Sequence, residues 1–312
     1  MMPPNSHDTI ETALSLGFSS AALLPVDVIR DHARRYSVCG YANDPRELMR
    51  TAKSVLVLAT AFPGFWTWPE DCGEVSAFYF ASQKAYVALC VLQRMLSERG
   101  IQADRRQLLP AKRLGMLSGF GLIGKNTLLQ NDQWGSRFVL HTLVTDIEAP
   151  PSGVGMNALP CEDCGRCVEA CPTRALSADE GMRMERCLRF HMMNGRIPEP
   201  YRRIMYSRLL GCEICQRVCP RQPAQALSPA ERPEDFAIER LLLCEPDYLR
   251  AIGERIGTNA ARPRKIQAQA AIVAGNSGDA KYLPILQKLT LSTNETVAEH
   301  AEWAIQNIQI SK

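Results

Sequence analysis

Apolar and polar positions follow two periods through the first half of the chain. Residues 8–19 place Ile10, Ala13, Leu14 and Leu16 at helical spacing and stop at Gly17. Residues 21–24 read as a short buried strand ending at Pro25, and 26–37 as a helix. Residues 45–52 predict a helix with Pro45 at its start, leading into a buried strand over 54–60. A long helix follows over 75–99, with an apolar stripe through Tyr79, Ala85, Val87, Leu92 and Met95, ended by Gly100. Residues 138–145 are a further strand. This alternation predicts an α/β domain over residues 1–152. From Pro233 onward the pattern turns helical, over 266–275, 281–289 and 295–310, with short polar turns between. Residues 231–312 therefore predict HEAT-like helical repeats, or a plain helical subdomain of the same outline.

Between these two regions the periodicity fades and cysteine takes over. Cys161-Glu-Asp-Cys164-Gly-Arg-Cys167-Val-Glu-Ala-Cys171-Pro172 reads C-x2-C-x2-C-x3-C-P, the bacterial ferredoxin spacing. Cys212-Glu-Ile-Cys215-Gln-Arg-Val-Cys219-Pro220 closes the stretch, and Cys187 stands between the two runs. Such spacing lets thiolates reach different irons of one cubane, with the fourth cysteine of a run reaching a second cluster. The pattern assigns Cys161, Cys164, Cys167 and Cys219 to one [4Fe–4S] cluster. Cys171, Cys212, Cys215 and Cys187 go to the other. A zinc ribbon needs only four ligands and leaves the C-P endings unexplained. Residues 153–230 are thus expected to be a ferredoxin-like module, interrupted between Cys187 and Cys212.

Composition narrows the classes. The chain has 312 residues, 46% of them apolar, enough for two or three cored units. Its net charge of +3 argues by itself for neither nucleic acid nor a membrane surface. No apolar run approaches the length of a membrane span, and no basic flank followed by an apolar run marks a signal peptide. Twelve cysteines without an export signal point to a reducing, cytoplasmic setting and to metal rather than disulfides.

Three other stretches carry candidate chemistry. Phe62, Phe65, Trp66 and Trp68 gather around Pro63 and Gly64, as a pocket lining or as rings closing the edge of a core. Gly119-Phe-Gly121-Leu-Ile-Gly124-Lys125-Asn126 matches G-x-G-x-x-G, with Asp146 downstream. The residues before it read as helix, not strand, which argues against a dinucleotide fingerprint. The turn instead brings backbone near some other ligand, with Lys125 and Asn126 as contacts. Arg183, Arg186, Arg189, Arg196, Arg202, Arg203 and Arg208 form a cationic stretch, either solvated or set against cluster charge or phosphates.

Taken together, the glycine turn, Thr145-Asp146, the double-cluster cysteines with a detached Cys187, Gly211-Cys212-x-x-Cys215-Gln216-x-Val218-Cys219-Pro220, Ala274-Gly275-Asn276 and His300-Ala301-x-Trp303-Ala304 resemble the epoxyqueuosine reductase family. Through it they are distantly similar to the reductive dehalogenases. The resemblance implies a nitroreductase-like domain binding cobalamin through Gly121, Gly124, Lys125 and Asn126. It implies electrons from a low-potential ferredoxin or flavodoxin, passed through two clusters to make Co(I). The implied reaction reduces an epoxide on a modified tRNA base, with tRNA as partner.

The chain departs from this family where a proton is needed. The family's Asp, shortly before the glycine turn, is replaced by Gln107-Leu-Leu-Pro110. Its Tyr-Ala-x-Gly-x-Asp-Tyr-His run is replaced by residues 78–86, and Trp-Asn after the last Cys-Pro by Arg221-Gln222. Asp104, the nearest carboxylate, and Tyr79 and Tyr86, whose phenols can donate, are the candidates for the acid. Both tyrosines also fit as helix core. The expectation is an oxidoreductase of this kind, in a divergent branch. The alternatives are an electron-transfer or reductive-activator protein without its own cobalamin catalysis, and a tRNA-binding module with structural clusters.

Overall fold

The computed structural model describes residues 6–149, 161–179, 181–223 and 228–310. They form two compact units. Of the described residues, the first comprises 6–62, 81–149, 161–163 and 220–223; the second comprises 63–80, 164–179, 181–219 and 228–310. The boundary expected at 152/153 lies outside the described residues.

The first unit is built on a four-stranded sheet in the order Ser20–Pro25, Ser54–Ala61, Phe138–Thr145, Ala103–Asp104. Every neighbouring pair is antiparallel. The strand–helix alternation thus produces a sheet with helices on both faces, but not the parallel sheet that an α/β alternation usually signals. Ser54–Ala61 and Phe138–Thr145 are central, so both faces are covered and their sequences are almost continuously apolar. Val55, Val57, Phe138 and Val144 face one core, where Leu114 of the helix Ala111–Leu117 packs. Leu56, Leu58 and Leu143 face the other, against Leu89, Leu92 and Leu96 of the helix Ala77–Glu98. Each such fully buried leucine contributes about 1.5–3 kcal/mol.

Two helical expectations need correction. The helix expected over 45–52 is a single 3-10 turn, Pro45–Glu47. The Asp44 side chain accepts from Arg46 N and Glu47 reaches back to Asp44 N, a closed local cap that satisfies the donors without further turns. Val87 is not in the apolar stripe of the long helix; it is exposed, and Leu89 and Leu96 take the buried face.

The second unit has one core, to which regions distant in sequence contribute. Met192, Ile197, Met205, Leu209 and Leu210, all from the segment between Cys187 and Cys212, pack with Leu241, Ile252, Ile272, Ala301 and Ile308 of the C-terminal helices. Those helices are Ile238–Leu243, Pro246–Ile256, Pro263–Ser277, Leu283–Leu289 and Glu295–Ile310. The interrupting segment, which shows little periodicity, forms the helices Leu188–Asn194 and Glu199–Met205 and the strand Arg208–Leu210.

Two of its cations are engaged by the C-terminal helices, and one of them is internal. Arg202 is almost fully buried, donates from Nε to Ile197 O at 3.0 Å, and pairs with Glu299. Arg203 donates to Asn307 Oδ1 at 2.9 Å. These arginines brace the C-terminal helices, so the cationic stretch is not a uniformly solvated face.

Candidate iron–sulfur and cofactor site

Cys171, Cys187, Cys212 and Cys215 come together in the second unit. Burial pushes the Cys215 thiol up to about 12, and the nearby sulfurs of Cys212, Cys187, Cys171 and Cys167 push in the same direction. Burial also raises Cys212, with Cys187 and Cys171 again among the sulfurs opposing its ionisation. Cys212 and Cys215 therefore resist ionisation unless cations join them, which is what cluster iron supplies.

The surrounding backbone suits sulfur as well. Ala175 N donates to Cys171 Sγ at 3.3 Å and Thr173 Oγ1 lies 3.6 Å from it. Although burial alone would raise the Cys171 thiol, these bonds hold it below its ordinary value. The donor set fits a cubane. Cys72 and Cys244 differ: burial pushes each up to about 12, and their sulfurs face the carbonyls of Pro233 and Leu241.

The loop holding Cys212 and Cys215 is tied to the long helix. Ser76 Oγ accepts from Phe78 N at 3.2 Å, capping the helix Ala77–Glu98, and donates to Glu213 Oε1 at 2.5 Å. Glu213 is 8% exposed and pairs with Arg217 at 3.3 Å. Gly211 makes this approach possible: its φ is +96°, and a Cβ there would lie 2.7 Å from Ser76 Cβ. Beside this group is a small cleft lined by Trp66, Trp68, Ser76, Arg208, Glu213 and Arg217. Trp66 packs edge-on against Phe80 at 4.9 Å, and Trp68 against Phe236 at 5.5 Å. The aromatic stretch therefore closes a core and also borders a cleft. Sequence reasoning missed Ser76 and Glu213. A serine just ahead of a long helix and an acid between two closely spaced cysteines were the available signals.

The glycine turn in the first unit is a hairpin, Leu122–Ile123 against Leu129–Gln130. It follows the helix Ala111–Leu117, so the dinucleotide reading fails in structure as in sequence. A Cβ on Gly121 would lie 2.2 Å from Gln130 O, and one on Gly124 2.5 Å from Gln130 Nε2. These glycines serve the packing of the turn on its own return strand. The next two residues are better placed for a ligand. Lys125 Nζ lies 2.5 Å from Asp163 Oδ1, in the loop after Cys161. Asn126 is 4% exposed, its Oδ1 accepts from Leu128 N, and its Nδ2 is buried without a partner.

The acid candidates separate. Burial alone would raise Asp104, but hydrogen bonds and charge from Arg106 outweigh it and hold the carboxyl below its ordinary value. Arg106 Nε and Nη2 donate to Asp104 Oδ2 at 2.8 and 2.5 Å, and Nε also reaches Oδ1 at 3.1 Å. Tyr79 is core, packed in the second unit, with its hydroxyl buried and unpartnered. Tyr86 is not core; it is 38% exposed, beside His141. Gln107, in the place of the family's acid, is used structurally: its Nε2 donates to Thr142 O and its Oε1 accepts from Thr142 N, extending the sheet edge with a side-chain amide.

Comparison with known proteins agrees with this architecture. Residues 160–222 match the family described as the 4Fe-4S double cluster binding domain. The epoxyqueuosine reductase of Lactococcus garvieae is 31% identical over 62% of this chain, a match spanning 56% of that relative. That of Staphylococcus aureus is 24% identical over 97% of this chain and 88% of its own. The match to the Lactococcus garvieae enzyme, like that to the Pseudomonas aeruginosa enzyme, thus spans little more than half of the relative's length. Among solved structures, the epoxyqueuosine reductase of Streptococcus thermophilus superposes with a TM-score of 0.78 at 20% identity, over 98% of this chain and 90% of that one. The chain therefore carries a double [4Fe–4S] cluster domain, has the fold of the epoxyqueuosine reductases, and resembles them in sequence.

Proposed function

We propose that this protein is an oxidoreductase that uses two [4Fe–4S] clusters and cobalamin to reduce an epoxide on a modified tRNA base, or a related substrate. Residues 1–152 bind cofactor and substrate in this reading, 153–230 carry the clusters, and 231–312 form a HEAT-like cap. The reduction takes two electrons and two protons and releases the epoxide oxygen as water. Cobalamin, when bound, supplies low-potential chemistry at the carbon–oxygen bond. Cys161, Cys164, Cys167 and Cys219 hold one cluster; Cys171, Cys187, Cys212 and Cys215 hold the other. Asn126 offers an unsatisfied amide donor to the cofactor, and Lys125 anchors the turn.

The observation that carries this reading is the Lys125–Asp163 pair, which ties the cofactor turn to the loop after Cys161. The proton donor is not Asp104, whose carboxyl is engaged by Arg106; Tyr86 is the accessible phenol. A ferredoxin or flavodoxin supplies electrons and tRNA is the partner, in the cytoplasm. Among the described residues no helix is long and apolar enough to cross a membrane.

One observation favours the second reading, an electron-transfer protein or activator without its own cobalamin catalysis: Gln107 fills the acid's place and is fixed to Thr142. The test incubates anaerobically purified protein with reduced flavodoxin and an epoxyqueuosine-containing tRNA stem loop. Loss of one oxygen atom from the base, seen by mass spectrometry, supports the reductase. Oxidation of the flavodoxin without that loss supports the electron carrier, and stem-loop binding alone the tRNA-binding module.

A further inference from the structure

The first unit holds a second polar group that neither the clusters nor the glycine turn uses. It lies on the sheet face covered by the helix Ala77–Glu98, among leucines. Leu58 stands opposite His141 and Thr60 opposite Val139, so Thr60 and His141 are diagonal neighbours on one face. Arg105 directly follows the Asp104–Val144 pair at the edge, and strand alternation puts it on that same face. The helix closes over them. The ring centroids of Tyr86 and His141 are 6.3 Å apart, and Arg105 Nη1 donates to Gln93 Oε1 at 2.5 Å.

Three atoms of this group are buried without a partner: Thr60 Oγ1, Arg105 Nε and His141 Nδ1. His141 is only 5% exposed. An interior that leaves three polar atoms unpaired in one place is unusual, because each forfeits its hydrogen bonds to water. The charge is unmatched too. Arg105 forms no salt bridge among the described residues, and the adjoining Asp104 is taken by Arg106. Its hydrogen-bond partner Gln93 is a neutral amide.

We propose that Arg105, Thr60, Tyr86 and His141 form a binding site for a small oxyanion, a carboxylate or a phosphate group. A guanidinium fork matches either group with two parallel hydrogen bonds. The hydroxyls and imidazole add donors, no acid in the set opposes the charge, and Tyr86 leaves an open side. A metal cation is disfavoured by the fixed positive charge. The site does not depend on cobalamin, and it shares Tyr86 with the reaction proposed above.

The test follows the imidazole resonances of the full-length protein, purified anaerobically with its clusters. Inorganic phosphate and acetate are titrated separately at constant ionic strength with chloride. The five histidines give few signals, and the one lost in His141→Gln identifies the site. A saturable shift of that signal alone is expected, with Arg105→Gln weakening binding by about tenfold or more, as loss of a charge-assisted pair requires. Saturation by phosphate only identifies a phosphate ligand, and saturation by acetate a carboxylate. Arg105→Lys, which keeps the charge but not the fork, should fall between, and it serves if Arg105→Gln loses iron or secondary structure. The absence of a saturable shift with either anion, or equal binding by the Arg105 variants and the unaltered protein, overturns the proposal.

Discussion

Ser76 Oγ and Glu213 Oε1 lie 2.5 Å apart, joining the cap of a 22-residue helix to the loop between Cys212 and Cys215. One hydroxyl therefore has two tasks. It closes the first turn of the helix, and it satisfies a carboxylate enclosed beside Cys212 and Cys215.

Ser76→Ala removes both. A lost N-cap costs about 1 kcal/mol, and a buried acceptor left short of a donor about 1–3 kcal/mol. The variant should unfold at a clearly lower temperature, measured anaerobically by circular dichroism. Glu213→Gln, which can still accept from Ser76, should show less than half that loss.

Burial pushes His141 and His300 each down to about 4, below the ordinary 6.5. His300 is held neutral by geometry as well, with Nδ1 against Ala268 O and Nε2 accepting from Ile197 N. The unfolded chain binds these protons and the folded chain does not. Stability is therefore full above about pH 6.5 and falls as pH drops toward 4, by about 1.4 kcal/mol per pH unit for each histidine. Unfolding midpoints between pH 7 and 4.5 measure this, and His300→Gln should make the decline shallower.

The reach of the sequence is clear from particular residues. The strands over 54–61 and 138–145 were legible because central strands buried on both faces read as unbroken apolar runs. The double-cluster domain was legible because cubane geometry fixes the spacing of its cysteines. The helix expected after Pro45 failed because a capping box can close a single turn. The inserted segment was illegible because its helices, Leu188–Asn194 and Glu199–Met205, are short and bury themselves against helices some 60 to 100 residues later. Arg202 and His300 were illegible for the same reason. A buried arginine reads as surface until its partner Glu299 is placed beside it.

Glu299→Gln leaves the Arg202 guanidinium buried with its charge unanswered. Removing one partner of a buried pair costs about 3–5 kcal/mol, and roughly half of that is expected here, because Glu299 is partly exposed. Arg202→Met removes the charge itself and should be milder. Thermal unfolding of the two variants decides the order.

Cys187 stands alone in sequence, yet its sulfur is among those that oppose ionisation of Cys212 and Cys215. Cys187→Ala should lower iron from about eight to about four per chain, with one cluster signal lost in electron paramagnetic resonance of the reduced protein. Cys244→Ala, which removes a thiol facing backbone carbonyls, should leave iron unchanged.

The most direct test of the whole account is the metal content of protein purified without oxygen from cells supplied with cobalamin. About eight irons and one cobalt per chain are expected, as two cubanes and one corrinoid require. Eight irons with no cobalt, even after reconstitution, would contradict the cobalamin reductase and leave an electron carrier. Fewer than about four irons would contradict the double-cluster assignment on which the rest depends.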